Sequence, residues 1–192
     1  MIIGLTGPTG SGKSSASAKA HNLGFTVVDC DKLARVAVEK GSEGLNALVM
    51  SFGDDILNGD KTLNRKMLAR KAFSTPEKTE LLNRILLPYI VKLVLEQAVG
   101  DRVLLDAPTL FESGLGSMCD VTIAVLSDTK IRLERIIKRD SLDKESALLR
   151  INAGKADKYY KENADYIIYN NDTTEKFLDE FVKIIHRITV NN

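Results

Sequence analysis

Residues 7–14 read Gly-Pro-Thr-Gly-Ser-Gly-Lys-Ser, which places Gly7, Gly12, Lys13 and Ser14 at the spacing G-x-x-x-x-G-K-S. An apolar run, Met1-Ile2-Ile3-Gly4-Leu5, precedes this stretch, and a helix-forming segment over residues 15–23 follows it up to Gly24. Strand, glycine loop and helix in that order form the context in which the motif acquires chemical meaning. Glycines let the chain wrap tightly enough for successive backbone N–H groups to point at one anion. The start of the following helix adds the positive end of its dipole. A polyphosphate site is therefore expected on the backbone of Gly10, Ser11, Gly12, Lys13, Ser14 and Ser15. Lys13 would reach the β- and γ-phosphates, and the Ser14 hydroxyl would ligate Mg²⁺. A glycine-rich turn with a chance Lys-Ser would not require the flanking strand and helix.

Working outward, further short apolar runs alternate with helical patterns. Residues 2–6, 25–28, 103–106, 121–126 and 166–169 read as five strands. Helices are expected over residues 36–52 with an interruption at 41–42, and over 64–73 with Leu68 and Phe73 on one face. A long helix opening at Thr75-Pro76 should bend at Pro88. Three more are expected over 128–140, 143–153 and 173–188. Alternation of this kind implies an α/β fold, a five-stranded parallel sheet with helices on both faces. Residues 32–99 carry only helices and read as a substrate-binding insertion. Residues 140–164 are polar and read as a lid. The core would then comprise 1–31, 100–139 and 165–192.

Composition narrows the function. A 192-residue chain with 44% apolar content can bury a real core in one compact α/β unit. The net charge of +1 provides no global field toward nucleic acid or a membrane surface. Cys30 and Cys119 match no metal-ligand spacing and read as ordinary thiols. The longest apolar stretch, residues 84–99, is interrupted by Pro88 and Lys92 and is no membrane span. No leader-like segment precedes the first strand, so a cytoplasmic protein is expected.

In an open α/β sheet the ligand lies at the carboxyl ends of the strands. There the sequence places Asp29 and Asp31, just past the second strand, and Asp106 at the end of the third. A carboxylate beside a γ-phosphate can orient an attacking hydroxyl and accept its proton. Asp31 stands where such a base would stand, or else it caps the next helix. Asp106 is placed like a strand-end acid that organises Mg²⁺, or else it is a turn residue. Arg35, Arg65, Arg139 and Arg150 are candidates for phosphate contacts, since guanidinium forks suit phosphate oxygens. The basic run 130–139 by itself reads as a solvated helix face. His21 and His186 lie far from the motifs and read as structural.

These residues together resemble the dephospho-coenzyme A kinase family, nearly from end to end. The opening runs from Ile3-Gly4-Leu5-Thr6-Gly7 through Ser14. Val28-Asp29-Cys30-Asp31-Lys32-Leu33-Ala34-Arg35 is similar to the family's Asp-x-Asp segment. Phe52-Gly53, Leu63-Asn64-Arg65 and Phe73 follow in the insertion. Asp106-Ala107-Pro108-Thr109-Leu110-Phe111-Glu112 is similar to its acid, proline and acidic-ended loop. Arg132, Arg135, Arg139, Arg150-Ile151 and Ala164-Asp165-Tyr166-Ile167-Ile168 come in order afterwards. The glycine loop is generic; the other segments are specific.

The resemblance implies a P-loop kinase core, a helical acceptor domain and a lid. It also implies a transferase that moves the ATP γ-phosphoryl group to the ribose 3′-hydroxyl of dephospho-coenzyme A, with Mg²⁺. Asp31 matches the family's catalytic base, Arg35 and Arg65 acceptor-side positions, and Arg139 a lid-side position. Leu87 stands where a His is typical, Gly154 where a Gln is common, and Thr109 where a Leu is usual. Tyr169 replaces a polar residue. Another small-molecule or nucleotide P-loop kinase is the alternative within enzymes. A GTPase-like switch is the alternative outside them, but Lys155-Ala156-Asp157 is the nearest approach to a guanine-reading motif and follows no strand. Oligomeric state stays open between monomer and weak homo-oligomer.

Overall fold

Along β1 (Ile2–Thr6) side chains alternate between the two faces of a sheet. Ile3 and Leu5 point to one side, and Gly4 lies on the other, where an added Cβ would come within 2.6 Å of a Leu110 methyl. β1 lies at the centre. It pairs in parallel with β3 (Val103–Asp106) on one flank and β4 (Val121–Leu126) on the other. Then β2 (Thr26–Asp29) pairs with β3 and β5 (Tyr166–Tyr169) with β4. The order is β2-β3-β1-β4-β5, all parallel. The structure is a computed structural model and describes residues 1–190; residues 191 and 192, the end of the expected third core segment, lie outside it.

The helices are α1 (Lys13–Asn22), α2 (Cys30–Val36), α3 (Glu43–Phe52), α4 (Arg65–Ala72), α5 (Pro76–Gln97), α6 (Thr129–Asp140), α7 (Lys144–Asn152), α8 (Asp157–Asn163) and α9 (Thr174–Val190). On one face of the sheet, Ile3, Leu5, Leu104, Ile123 and Ile168 meet Ala16 and Ala20 of α1 and Phe177, Phe181, Ile184 and Ile188 of α9. Each large side chain so buried contributes about 1.5–3 kcal/mol against leaving it exposed. On the other face Val28, Val103, Leu105 and Leu110 meet Leu33 of α2 and Ile90 and Val94 of α5. Cys30 and Cys119 pack into this same second layer. Away from the sheet, Val38, Leu48, Phe52, Ile56, Leu68, Ala72 and Leu82 form a separate apolar cluster. Helix α5 serves both the cluster and the sheet, and Leu86 packs against each.

Several local expectations change. The helical stretch expected over 36–52 with an interruption at 41–42 is, beyond Val36, helical only from Glu43. Helix α2 starts earlier, at Cys30, and ends at Val36, residues 37–42 are non-helical, and α3 starts after Ser42, whose hydroxyl caps it by accepting from Leu45 N at 3.1 Å. Helix α5 opens as expected, with Thr75 capping and Pro76 in its first turn, and continues through Pro88 to Gln97. Phe73 does not share the buried face of Leu68. It is the residue that ends α4 and is 65% exposed, and Ala72 takes the buried place. Within 140–164 there are two helices where one was expected. The unexpected one, α8, is anchored on β4 by Tyr160 against Ala124 and Leu126. Among the described residues no helix is long and apolar enough to cross a membrane.

Candidate active site

The parallel registers align Leu5 of β1 with Asp106 of β3, and Asp106 with Asp29 of β2. Three strand ends therefore face one place, and the glycine loop leaves from the first of them. The loop must be glycine at two points for reasons of space as well as torsion. At Gly7, φ is 147° and an added Cβ would lie 2.2 Å from the Val125 carbonyl oxygen. At Gly12, φ is 102° and an added Cβ would lie 2.1 Å from Asn170 Nδ2. Gly12 is also the N-cap residue of α1 and supplies no side-chain cap. Among the described residues, no protein acceptor takes the backbone N–H groups of Gly10, Gly12, Lys13 and Ser14. No acidic side chain stands in the first turn of α1, so its positive end is unneutralised there.

These groups line a cavity of about 1090 Å³, bounded by Gly7 through Ser14 on one side. Lys13, Lys32, Arg35, Arg135, Lys138 and Arg139 bring six cationic side chains to its walls, against the three carboxylates Asp29, Asp31 and Asp106. An excess of positive charge in a concave site favours a polyanion. A second cavity, of about 370 Å³, is walled mainly by apolar side chains: Val38, Leu63, Leu68, Phe73, Leu82 and Leu86, with Arg65 on its rim. The two cavities share Asp31 and Arg35.

Asp31 does not cap α2. That role belongs to Asp29, which accepts from Lys32 N at 2.9 Å and leaves Asp31 in the first turn with its carboxylate toward the cavities. The Asp31 carboxyl is reached by solvent at the cavity mouth, yet protein crowds it closely enough to raise its pKa above the ordinary 3.8. Desolvation is the largest cause; Lys13 and Arg35 pull the other way, while Asp29 and Asp106 add to the rise. A carboxylate shifted upward is a better proton acceptor near neutrality.

Asp106 accepts from Lys13 Nζ through one oxygen and from the Ser17 hydroxyl through the other, and the Lys13 and Asp106 side chains are 15% and 16% exposed. Ser14 Oγ is exposed in the same cavity. A hydroxyl and a carboxylate are the hard oxygen donors that Mg²⁺ takes when substrate phosphates and water complete its shell. Among the described residues no group of three His, Cys, Asp or Glu gathers to hold a metal unaided.

The remaining expected residues divide. Arg35 lines both cavities and Arg65 the second. Arg139 lines the first, but its guanidinium forks onto Asp140 at 2.8 Å through both Nε and Nη2, and Arg150 pairs with the same carboxylate. Ser15 lies outside the lining, and its N–H donates to Gly12 O at 3.0 Å. Leu87 lines neither cavity; it packs in the second layer against Gly114.

The basic run on α6 is not a solvated face throughout. Arg132 is 4% exposed and donates from Nε to Thr9 O, and Arg135 reaches the carbonyls of Gly10 and Ser11. Ser17 and Asn170 beside the loop have no signal in the sequence, and Arg132 and Arg135 enter there only as part of the family resemblance, with no sign of their contact with the loop. Their partners lie 89 to 159 positions away, and no local pattern announces such contacts.

The sequence matches the family model described as Dephospho-CoA kinase over residues 1–176. A dephospho-CoA kinase of Listeria monocytogenes is 40% identical, with 94% of this chain and 97% of that one covered. Among solved structures, TT1252 from Thermus thermophilus superposes with a TM-score of 0.79 at 30% identity, over 97% of this chain and 96% of that one. A dephospho-CoA kinase from Campylobacter jejuni superposes with a TM-score of 0.64 at 27% identity, over 100% and 98%. A phosphate-gripping loop, an acid beside it and an end-to-end match in sequence agree: this chain belongs to the dephospho-CoA kinase family.

Proposed function

We propose that this chain transfers the γ-phosphoryl group of ATP to the 3′-hydroxyl of dephospho-coenzyme A in the cytoplasm, completing coenzyme A synthesis. The observation that carries the reading is the position of Asp31 and Arg35 at the junction of a cationic cavity and a mainly apolar groove. A triphosphate fits the first by charge, and an acceptor with a long, largely uncharged arm fits the second. The amides of Gly10, Gly12, Lys13 and Ser14 bind the phosphates; the Ser11 N–H, expected among them, donates to Pro8 O at 3.2 Å instead, and Ser15 extends the same helix start. Lys13 neutralises charge as the phosphoryl group moves. Asp31 orients the 3′-hydroxyl and takes its proton; the alkoxide oxygen bonds to the γ-phosphorus, and ADP leaves. Arg35 and Arg65 hold the anionic part of the acceptor, and Arg139 acts from the lid side. Ser14 and Asp106 would hold Mg²⁺, which supplies charge neutralisation across the phosphate oxygens when bound.

The same reading divides the chain into a nucleotide-binding core (1–31, 100–139 and 165–192), an acceptor domain (32–99) and a lid (140–164). A lid that closes over the γ-phosphate excludes water and so prevents hydrolysis of ATP. The direct test supplies ATP, Mg²⁺ and dephospho-coenzyme A and identifies the products by mass. The expected result is an acceptor heavier by one phosphoryl group, with one ADP released for each. Phosphorylation of a nucleotide or a small sugar acid in place of dephospho-coenzyme A would overturn the assignment. The raised pKa of Asp31 adds a second expectation. kcat/KM for dephospho-coenzyme A, which reports the free enzyme, should fall as pH drops through the pKa of this group, on a limb whose midpoint lies above the ordinary aspartate value of 3.8. Initial rates between about pH 4 and pH 8 would display that limb.

A further inference from the structure

Three consecutive carbonyl oxygens of the glycine loop are each held by a side chain from far along the chain. Arg132 Nε donates to Thr9 O at 2.9 Å, Arg135 Nη1 donates to Gly10 O and to Ser11 O at 3.3 Å each, and Asn170 Nδ2 donates to Ser11 O at 2.8 Å. Arg135 and Asn170 are also tied to each other. Arg135 Nη2 donates at 3.1 Å both to the Asn170 backbone oxygen and to its Oδ1, and the Ser127 hydroxyl donates to that backbone oxygen at 2.8 Å. Asn170 is 5% exposed, and its amide nitrogen occupies the space that a side chain on Gly12 would need.

A trans peptide unit is planar, with its C=O and the following N–H pointing in opposite directions. Fixing the carbonyls of residues 9, 10 and 11 therefore fixes the direction of the N–H groups of residues 10, 11 and 12. Two of these, on Gly10 and Gly12, have no protein acceptor among the described residues. A loop of glycines would otherwise sample many conformations, and ordering it would draw on the free energy of binding. We infer that Asn170 and Arg135 are positioning residues for the phosphoryl donor, holding the loop from behind in its anion-binding shape before ATP arrives. Arg135 borders the cavity, but its two terminal nitrogens are committed to protein oxygens, so it acts as a brace and not as a phosphate ligand. This inference rests on the reading of the glycine loop as the ATP site.

The test measures both Michaelis constants for Asn170→Ala and Arg135→Lys, together with the rise in melting temperature that ATP induces. Lysine keeps the charge of Arg135 but not its fork. Losing these hydrogen bonds should raise KM for ATP about tenfold or more in either variant. KM for dephospho-coenzyme A should stay within about twofold, and the ATP-induced rise in melting temperature should shrink. The double variant should cost less than the product of the two single effects, because the two side chains share Ser11 O and each other. A purely structural role would lower the melting temperature without separating the two KM values. That result, or an unchanged KM for ATP in either folded variant, would overturn the inference. Lys13→Met is the control for the underlying reading: if it leaves ATP use intact, the loop is not the ATP site, and the brace has nothing to position.

Discussion

Lys13→Ala is expected to reduce turnover by about 10³-fold, the scale at which a preorganised positive group acts on charge developing in a transition state. In this structure Lys13 Nζ donates to Asp106, and both side chains are mostly buried. The substitution therefore removes a cation from the cavity and also leaves the Ser17 hydroxyl as the remaining side-chain donor to Asp106 among the described residues. Leaving a largely buried carboxylate without its cation should cost about 1–3 kcal/mol of stability, or a few degrees of melting temperature in a chain of this size. Activity is thus best compared well below the melting point of the variant. The loss should appear mainly in kcat, because the amides of the loop remain to bind phosphates. A decrease of less than about tenfold, on the same scale for a single stabilising donor, would mean that the phosphoryl group does not pass beside Lys13.

Asp31→Ala is expected to lower kcat by about 10²–10⁴-fold, the range for loss of a general base, with the ATP-induced rise in melting temperature preserved. A nucleotide that binds normally but is not turned over is the signature of a lost base, as opposed to a lost binding site. Near-normal turnover would refute the role. The neighbouring variant Asp31→Asn separates chemistry from folding. Desolvation raises the pKa of Asp31 in the folded protein, so the folded state holds this proton more tightly than the unfolded chain does. Keeping Asp31 ionised therefore opposes folding at neutral pH, and that part of stability returns as pH falls through the folded pKa. Asparagine has no charge to desolvate. Asp31→Asn should accordingly melt no lower than the parent protein at pH 7 while losing most of its turnover. A calorimetric scan beside a coupled ADP assay checks both halves.

The sheet was legible because buried parallel strands read as short apolar runs closed by turn residues. Residues 2–6, 103–106, 121–126 and 166–169 coincide with strands, and 25–28 is displaced by one residue. The glycine loop was legible for a different reason: its residue types and spacing have few other uses. What escaped has physical causes. Helix α8 carries one buried anchor, Tyr160, in a polar segment, so no periodicity marks it. Phe73 looked like a core residue, but α4 ends just before it and turns its ring outward. Of the arginines of α6, Arg132 and Arg135 reach the glycine loop while Arg139 faces outward and pairs with Asp140, a distinction that only the tertiary fold creates. From sequence Asp31 reads either as a base or as the cap of the next helix, and the hydrogen bond that Lys32 N donates to Asp29 gives the cap to Asp29 instead.

The packing of Cys30 and Cys119 in the layer beneath α2 and α5 bears on chemistry that dephospho-coenzyme A brings with it. That substrate and its product each end in a free sulfhydryl group, a standing partner for disulfide exchange with any reactive cysteine nearby. Burial pushes both protein thiols up to about 12, and the carboxylates of Asp106, Asp29 and Asp31 reinforce this at Cys30. At pH 7 only about one molecule in 10⁵ carries either sulfur in its nucleophilic, deprotonated form. Cys30 can therefore stand next to Asp31 in the chain without becoming a point of covalent capture by the enzyme's own substrate.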